Sequence, residues 1–186
     1  MSAIILIGGG VRSGKSAFAV ARARLLGERR AFVATAQAFD DEMRTRITDH
    51  RREREGAFTT FEEPLAIAAV LSSLDSFDVA VVDCLTLWLS NMLLDGMGAA
   101  AITARVDELV TVLRARPLPT LLISNEVGMG IVPETPLGRA FRDLSGRMHQ
   151  TVAAAADEVY VAMMGVVLRL RPGPVDIARA HAGDGR

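Results

Sequence analysis

Apolar positions along the chain fall into short compact runs separated by longer stripes. Ala3–Ile7, Ala31–Ala36, Val79–Asp83 and Thr120–Ser124 are runs of strand length with almost no polar interruption, the pattern of strands buried on both faces. Between them the period changes. Ser16–Leu26 carries alanines, Phe18 and Leu25 with no breaker before Gly27, and Pro64–Leu74 begins with a helix-starting proline. Leu85–Leu94 is apolar nearly all round, so Trp88 reads as core or subunit interface. Ala99–Ala115 places Ile102, Val106, Leu109, Val110 and Leu113 on one side. Strands alternating with helices predict an α/β fold whose central sheet is mostly parallel. Leu137, Phe141, Leu144, Met148 and Val152 then mark a long helix, interrupted by Gly138 and Gly146. Glu158–Ala162 and Val166–Leu170 flank Met163-Met164-Gly165 as a C-terminal hairpin at the sheet edge. Thr59–Glu63 is expected as a polar link. One domain is expected over residues 1–171, with a tail over 172–186 that frays.

One stretch breaks this pattern. Asp40–Glu55 reads DDEMRTRITDHRRERE, with acids first and arginines last, as a helix macrodipole favours. Met43, Ile47, His50 and Arg54 share one face, so His50 looks toward the protein with Arg51 and Arg54 near it. A solvated surface helix whose histidine simply packs is the plain alternative. Its place after the second strand favours function, because the carboxyl ends of parallel strands carry the ligand crevice. Thr35, Ala36 and Gln37 enter on the same side.

The chemistry is densest at Gly9-Gly10-Val11-Arg12-Ser13-Gly14-Lys15-Ser16, which fits G-x-x-x-x-G-K-[ST] between a strand and a helix. In such a loop successive backbone N–H groups turn inward around a phosphate, and the helix N-terminus adds partial positive charge. Lys15 would reach the β/γ-phosphates and Ser16 would hold Mg²⁺. The apolar run ending in Asp83 adds a carboxylate at a strand end, which would bind the ion or its water near Ser16; the alternative is an aspartate that caps the next helix. Asn125-Glu126-Val127-Gly128-Met129-Gly130-Ile131-Val132-Pro133 leaves the fourth strand on the same side, a shaped loop fit to hold a substrate.

Composition excludes more than it assigns. Among 186 residues half are hydrophobic and the formal net charge is -1, so no basic surface for nucleic acid is indicated. Cys84 stands alone, which rules out an internal disulfide or cysteine metal cluster and fits a reducing cytoplasm. No apolar run reaches membrane-spanning length, and Ala3–Ile7 is too short for a signal peptide. His181 falls in the tail, and His149 is helical and reads as structural or interfacial.

Taken in order, GGVRSGKS, FVATAQ at Phe32–Gln37, D-E-M-x-x-R-I-x-x-H from Asp41, DCLTLWLSN at Asp83–Asn91, NEVGMGIVP at Asn125–Pro133 and Phe141-Arg142-Asp143 resemble the bifunctional adenosylcobinamide kinase/adenosylcobinamide-phosphate guanylyltransferase family. The resemblance runs from about residue 4 to 170. It implies a P-loop NTPase fold of the RecA-like kind, a homotrimer, and two reactions with a corrinoid substrate and ATP or GTP. The first phosphorylates adenosylcobinamide; the second transfers GMP to that phosphate through a guanylyl-histidine. The family histidine falls on His50, with Arg51, Arg52, Glu53 and Arg54 beside the nucleotide and Glu62 as a carboxylate for guanine. Asn125, Glu126, Gly128 and Gly130 fall in the substrate loop. Val11, where the family usually has alanine, and the tail from Pro172 depart from the pattern. Two other readings compete: a simple P-loop small-molecule kinase in which His50 only packs, and a RecA-type ATPase module acting on nucleic acid.

Overall fold

The computed structural model describes residues 3–38, 41, 56–173 and 177–179. Apart from Asp41, the segment expected as a charged helix lies outside the described residues, and with it His50, Arg51, Arg52, Glu53 and Arg54; so does His181. In chain order the strands are β1 (Ile4–Gly9), β2 (Arg30–Ala34), β3 (Thr59–Glu62), β4 (Val79–Asp83), β5 (Thr120–Asn125), β6 (Glu158–Met163), β7 (Val166–Arg171) and β8 (Ile177–Arg179). The helices are α1 (Lys15–Arg24), α2 (Ile67–Ser72), α3 (Leu85–Leu94), α4 (Ala99–Ala115) and α5 (Pro136–Ala155).

The strands form one eight-stranded sheet in the order β3-β2-β4-β5-β1-β6-β7-β8. Every pair from β3 through β6 is parallel, and the β6–β7 and β7–β8 pairs are antiparallel. The strand period of two divides the core. Ile4, Leu6, Val33, Val82 and Leu122 face α2 to α5. Ile5, Ile7, Phe32, Val81, Leu121 and Ile123 face the side covered by Phe18, Ala19 and Ala23 of α1. Both faces are buried, which is why these strands read as unbroken apolar runs rather than alternating ones. Trp88 is 1% exposed and its Nε1–H donates to the Leu65 carbonyl at 2.7 Å, so it is a core residue.

Three expectations change. Thr59–Glu62 is an edge strand, paired in parallel with β2 from Ala31↔Thr59 to Ala34↔Glu62, and not a link. An edge strand buries little, so its polar composition hid it; Phe61 alone supplies an apolar anchor, against Phe77 with ring centroids 5.7 Å apart. The helix expected over Pro64–Leu74 is shorter because Glu63 Oε1 accepts from the N–H groups of Leu65 and Ala66, at 2.9 and 2.7 Å, and holds that stretch as a turn. Three residues of the tail expected to fray, Ile177–Arg179, instead pair with β7, so the hairpin gains a strand outside it. The two glycines of α5 also differ: a Cβ at Gly138 would press on Pro133 Cβ at 2.7 Å, whereas Gly146 faces open space.

The segments that leave β2 and β3 on the ligand side are tied to α3 by Asn91, which is 6% exposed and donates from Nδ2 to the Thr35 carbonyl at 2.8 Å and the Pro64 carbonyl at 3.0 Å. Replacement by leucine strands two carbonyls without a donor. Asn91→Leu is expected to lower unfolding free energy by about 2–4 kcal/mol in urea denaturation. A change under about 0.5 kcal/mol would show that these bonds do not hold the strand ends together.

Candidate functional site

β1 ends between β5 and β6, with Gly9 opposite Asn125 on one side and Ala162 on the other. The chain then turns into residues 10–14 before α1 begins at Lys15. Gly9 has φ 151°, and a Cβ there would collide with the Ala162 carbonyl oxygen and stand 2.8 Å from Ser13 Oγ. Only glycine fits. Arg12 (φ 54°) and Gly14 (φ 97°) are left-handed, the turn chemistry that rotates successive N–H groups into one concavity. The Gly165 N–H, in the β6–β7 turn, donates to the Ser13 carbonyl at 3.2 Å and braces the loop from outside.

The side chains of this loop are partly committed to it. Lys15 is 8% exposed and its ammonium donates to the Gly10 carbonyl at 3.0 Å. Burial pulls its pKa below the usual lysine range, opposed by the Asp83 carboxylate. Ser13 Oγ is buried with no hydrogen-bond partner among the described residues, an oxygen placed to meet a ligand inside the loop. Ser16 Oγ donates to Asp83 Oδ2 at 3.2 Å, so the first turn of α1 and the end of β4 converge as their two motifs require. Val11 and Arg12 are exposed at the rim.

Thr35 does not present its side chain to the crevice. It is fully buried, its hydroxyl donates to the Cys84 carbonyl at 2.8 Å and accepts the Cys84 N–H at 2.8 Å, and it serves to fix β2 against the Asp83–Cys84 corner. Ala36 and Gln37 follow, both half-buried. Glu62 ends β3 on the same side of the sheet and is exposed.

The exit loop of β5 organises itself. Glu126 accepts from the N–H groups of Gly128 and Met129 at 2.7 and 3.0 Å, and its own N–H donates to the Gly9 carbonyl at 3.0 Å. A Cβ at Gly128 would stand 2.8 Å from Glu126 Oε1, whereas Gly130 has open space around it. Arg142 Nη2 donates to the Gly128 carbonyl at 2.8 Å, and Arg139 Nη1 donates to the carbonyls of Pro133 and Glu134 at 3.1 and 2.7 Å. One turn of α5 therefore grips the loop at Gly128 and at its far end. Between them Met129 and Ile131 are 86% and 97% exposed, an apolar apex on a rigid base.

Sequence reasoning passed over Ser124, Thr86, Arg142 and Gly165 as parts of this site. Thr86 and Arg142 lie in stretches that carry the family resemblance, yet a serine ending a strand, a threonine in an apolar helix and an arginine in a long amphipathic one carry no spacing signal for this role; the fold brings them to one place. Among the described residues no group of three or more His, Cys, Asp or Glu side chains could hold a metal alone, and no helix is long and apolar enough to cross a membrane.

The fold is similar to that of the RadB recombinase, with a TM-score of 0.55 and 18% identity over 95% of this chain and 86% of that one. That likeness establishes a P-loop NTPase fold of the RecA-like kind and nothing about activity. Sequence relatives are more specific. The bifunctional adenosylcobalamin biosynthesis protein CobP of Pseudomonas aeruginosa is 40% identical over 171 residues, 91% of this chain and 98% of that protein. The bifunctional adenosylcobalamin biosynthesis proteins CobU of Escherichia coli and Salmonella typhimurium are each 36% identical over 183 residues, 90% of this chain and 99% of theirs. The family model described as cobinamide kinase / cobinamide phosphate guanyltransferase matches residues 5–170, from the first strand through the phosphate loop, the Asp83 corner and the exit loop to the hairpin, and the chain belongs to that family.

Proposed function

We propose that the chain phosphorylates adenosylcobinamide with a nucleoside triphosphate and then transfers GMP from GTP to the new phosphate, giving adenosylcobinamide-GDP in cobalamin biosynthesis. The observation that carries this reading is the convergence of Lys15, Ser16 and Asp83 at one strand end in a chain whose family match spans both the loop and His50. Lys15, already stripped of water, offers a strong charge to the transferring phosphoryl group. Mg²⁺ fits the donor set: one hydroxyl and one carboxylate, both hard oxygens, suit an ion that takes its remaining ligands from phosphate and water. Ser16 and Asp83 would hold it, and it would neutralise charge building on the phosphates.

In the second step His50 is the nucleophile. A neutral imidazole nitrogen attacks the α-phosphorus of GTP, the P–O bond to pyrophosphate breaks, and a P–N bond forms. The phosphate oxygen of the corrinoid then attacks the same phosphorus, the P–N bond breaks, and the imidazole is restored. Arg51 and Arg54, with Arg52 and Glu53 in the same run, would stabilise the phosphates, and Glu62 would accept from guanine N1–H and N2–H. Gln37 and the backbone at Ala36 belong to the nucleotide side. Asn125, Glu126, Gly128 and Gly130 frame the corrinoid side, and the exposed apolar apex supports that assignment, since a corrinoid offers a broad apolar face. A homotrimer working in the cytoplasm completes the proposal.

The test of the covalent step is labelling. Wild-type protein incubated with α-labelled GTP and a magnesium salt is expected to retain acid-labile, base-stable label after denaturation, and His50→Ala to lose label while still phosphorylating cobinamide. Full labelling of His50→Ala would move the nucleophile elsewhere and leave a plain kinase. Lys15→Ala should cost both steps about 10²–10³ in rate, because one triphosphate site serves both. Wild-type turnover by folded Lys15→Ala would sink the shared site. Gly128→Val, which crowds Glu126 Oε1, should raise KM for cobinamide several-fold more than it weakens GTP binding by calorimetry. Equal loss of both would mark general collapse of the domain instead.

A further inference from the structure

A hydrogen-bond chain runs from α5 to the start of the β5 exit loop. His149 Nε2 lies 2.6 Å from Ser124 Oγ, which lies 3.1 Å from Thr86 Oγ1. Thr86 Oγ1 in turn accepts the Asn125 N–H at 2.6 Å. Ser124 and Thr86 are 0% and 5% exposed, so water cannot stand in for a missing partner.

Each hydroxyl has one proton, and this sets the direction of the chain. With Nε2 as acceptor, Ser124 donates to His149, Thr86 donates to Ser124, and both hydroxyl protons have good partners. With Nε2 as donor, Ser124 turns its proton to Thr86, and the Thr86 proton is left with the Asn125 carbonyl 3.4 Å away, beyond the range of a strong O–H···O bond. The first arrangement demands a neutral imidazole with its proton on Nδ1. Burial works the same way: it holds the His149 pKa below the ordinary histidine value, against the opposing pull of the Glu126 carboxylate. Other charges stand off. β1, β5 and α3 carry no ionisable side chain, and Arg105, Asp107, Glu108 and Arg114 of α4 are exposed. Cys84, at the cap of α3, is kept neutral by burial and by Asp83, with its thiol pushed up to about 11. On α5 itself Arg142 is engaged at the Gly128 carbonyl and Asp143 and Arg147 are exposed.

The far end of this chain touches the reaction site. Asn125 pairs with Gly9, Glu126 N–H donates to the Gly9 carbonyl, and Asn125 Nδ2 reaches Cys84 Sγ at 3.9 Å, one residue from Asp83. We propose that His149 is a positioning residue for phosphoryl transfer: as a neutral acceptor it orders the Ser124–Thr86 chain and so holds Asn125 and its loop against the phosphate loop. This rests on the kinase reading above. Because the folded pKa is depressed, the ordered state is complete above the ordinary histidine pKa of about 6.5 and is lost as pH falls through the lower folded value.

Two measurements on the full chain test it. Long-range ¹H–¹⁵N spectra of wild-type protein at neutral pH should show His149 with Nδ1 protonated and Nε2 bare; a protonated Nε2 overturns the proposal. In kinase assays with cobinamide and a nucleoside triphosphate, His149→Leu should lower kcat about tenfold with nucleotide affinity within about twofold of wild type. His149→Gln, whose amide oxygen accepts from Ser124, should recover most of that loss and flatten the acid limb of the kcat profile. Wild-type kcat and pH profile in folded His149→Leu would also overturn the proposal, and if both variants misfold the wild-type spectrum decides alone. A wild-type protein inactive toward cobinamide would strike the kinase reading instead, and the spectrum, which needs no substrate, would still judge the hydrogen-bond chain.

Discussion

The passage of Gly9 beside the Ala162 carbonyl is the constraint on which the phosphate loop depends. β1 must end between two parallel neighbours and still leave room for a loop to fold back over the strand ends, and a side chain at this point would meet backbone on one side and Ser13 on the other. Removing the side chain lets the loop settle against the β6–β7 turn, where Gly165 holds it. Lys15 and Ser16 then start α1 directly above the end of β4, and Asp83 is within reach only because β4 and β1 both flank β5 in parallel register.

A sheet of this kind has a liability at its ligand end. Backbone groups that leave the ladder are buried by the helices above and need donors or acceptors from elsewhere. α3 supplies them: Thr86 meets Asn125 and Ser124, Asn91 meets Thr35 and Pro64, and Cys84 at its cap accepts from Leu87 N–H at 3.4 Å. Thr86 and Asn91, two polar residues of an otherwise apolar helix, are therefore spent on strand ends, not on solvent. The outcome is strand ends whose backbone groups are hydrogen-bonded and buried, the condition under which charges such as Lys15 act with least solvent screening.

The two sides of the crevice are built on different physics. Around the phosphate loop the determinants are backbone N–H groups, one desolvated ammonium and a hydroxyl–carboxylate pair, all suited to a compact anion. Along the β5 exit loop they are apolar side chains raised on a frame of internal hydrogen bonds, suited to area rather than charge. The frame matters because an unbraced loop with two glycines would lose conformational entropy on binding that this one has already given up.

The amino-acid order by itself settled the alternation of strands and helices, the phosphate loop with Lys15 and Ser16, the carboxylate at Asp83 and the family, because each rests on local spacing: a buried parallel strand is a short apolar run, and a phosphate loop is contiguous. Only the tertiary structure decided what depends on partners far along the chain. The edge strand Thr59–Glu62 is defined by β2 and not by its own pattern, and the third antiparallel strand exists because β7 offers an open edge. Thr35 left the crevice because Cys84, distant in sequence, claims both capacities of its hydroxyl. His149, legible only as one more helical residue, acquires its place from Ser124 and Thr86, since hydrogen bonds between side chains on separate elements leave no periodic trace in the sequence.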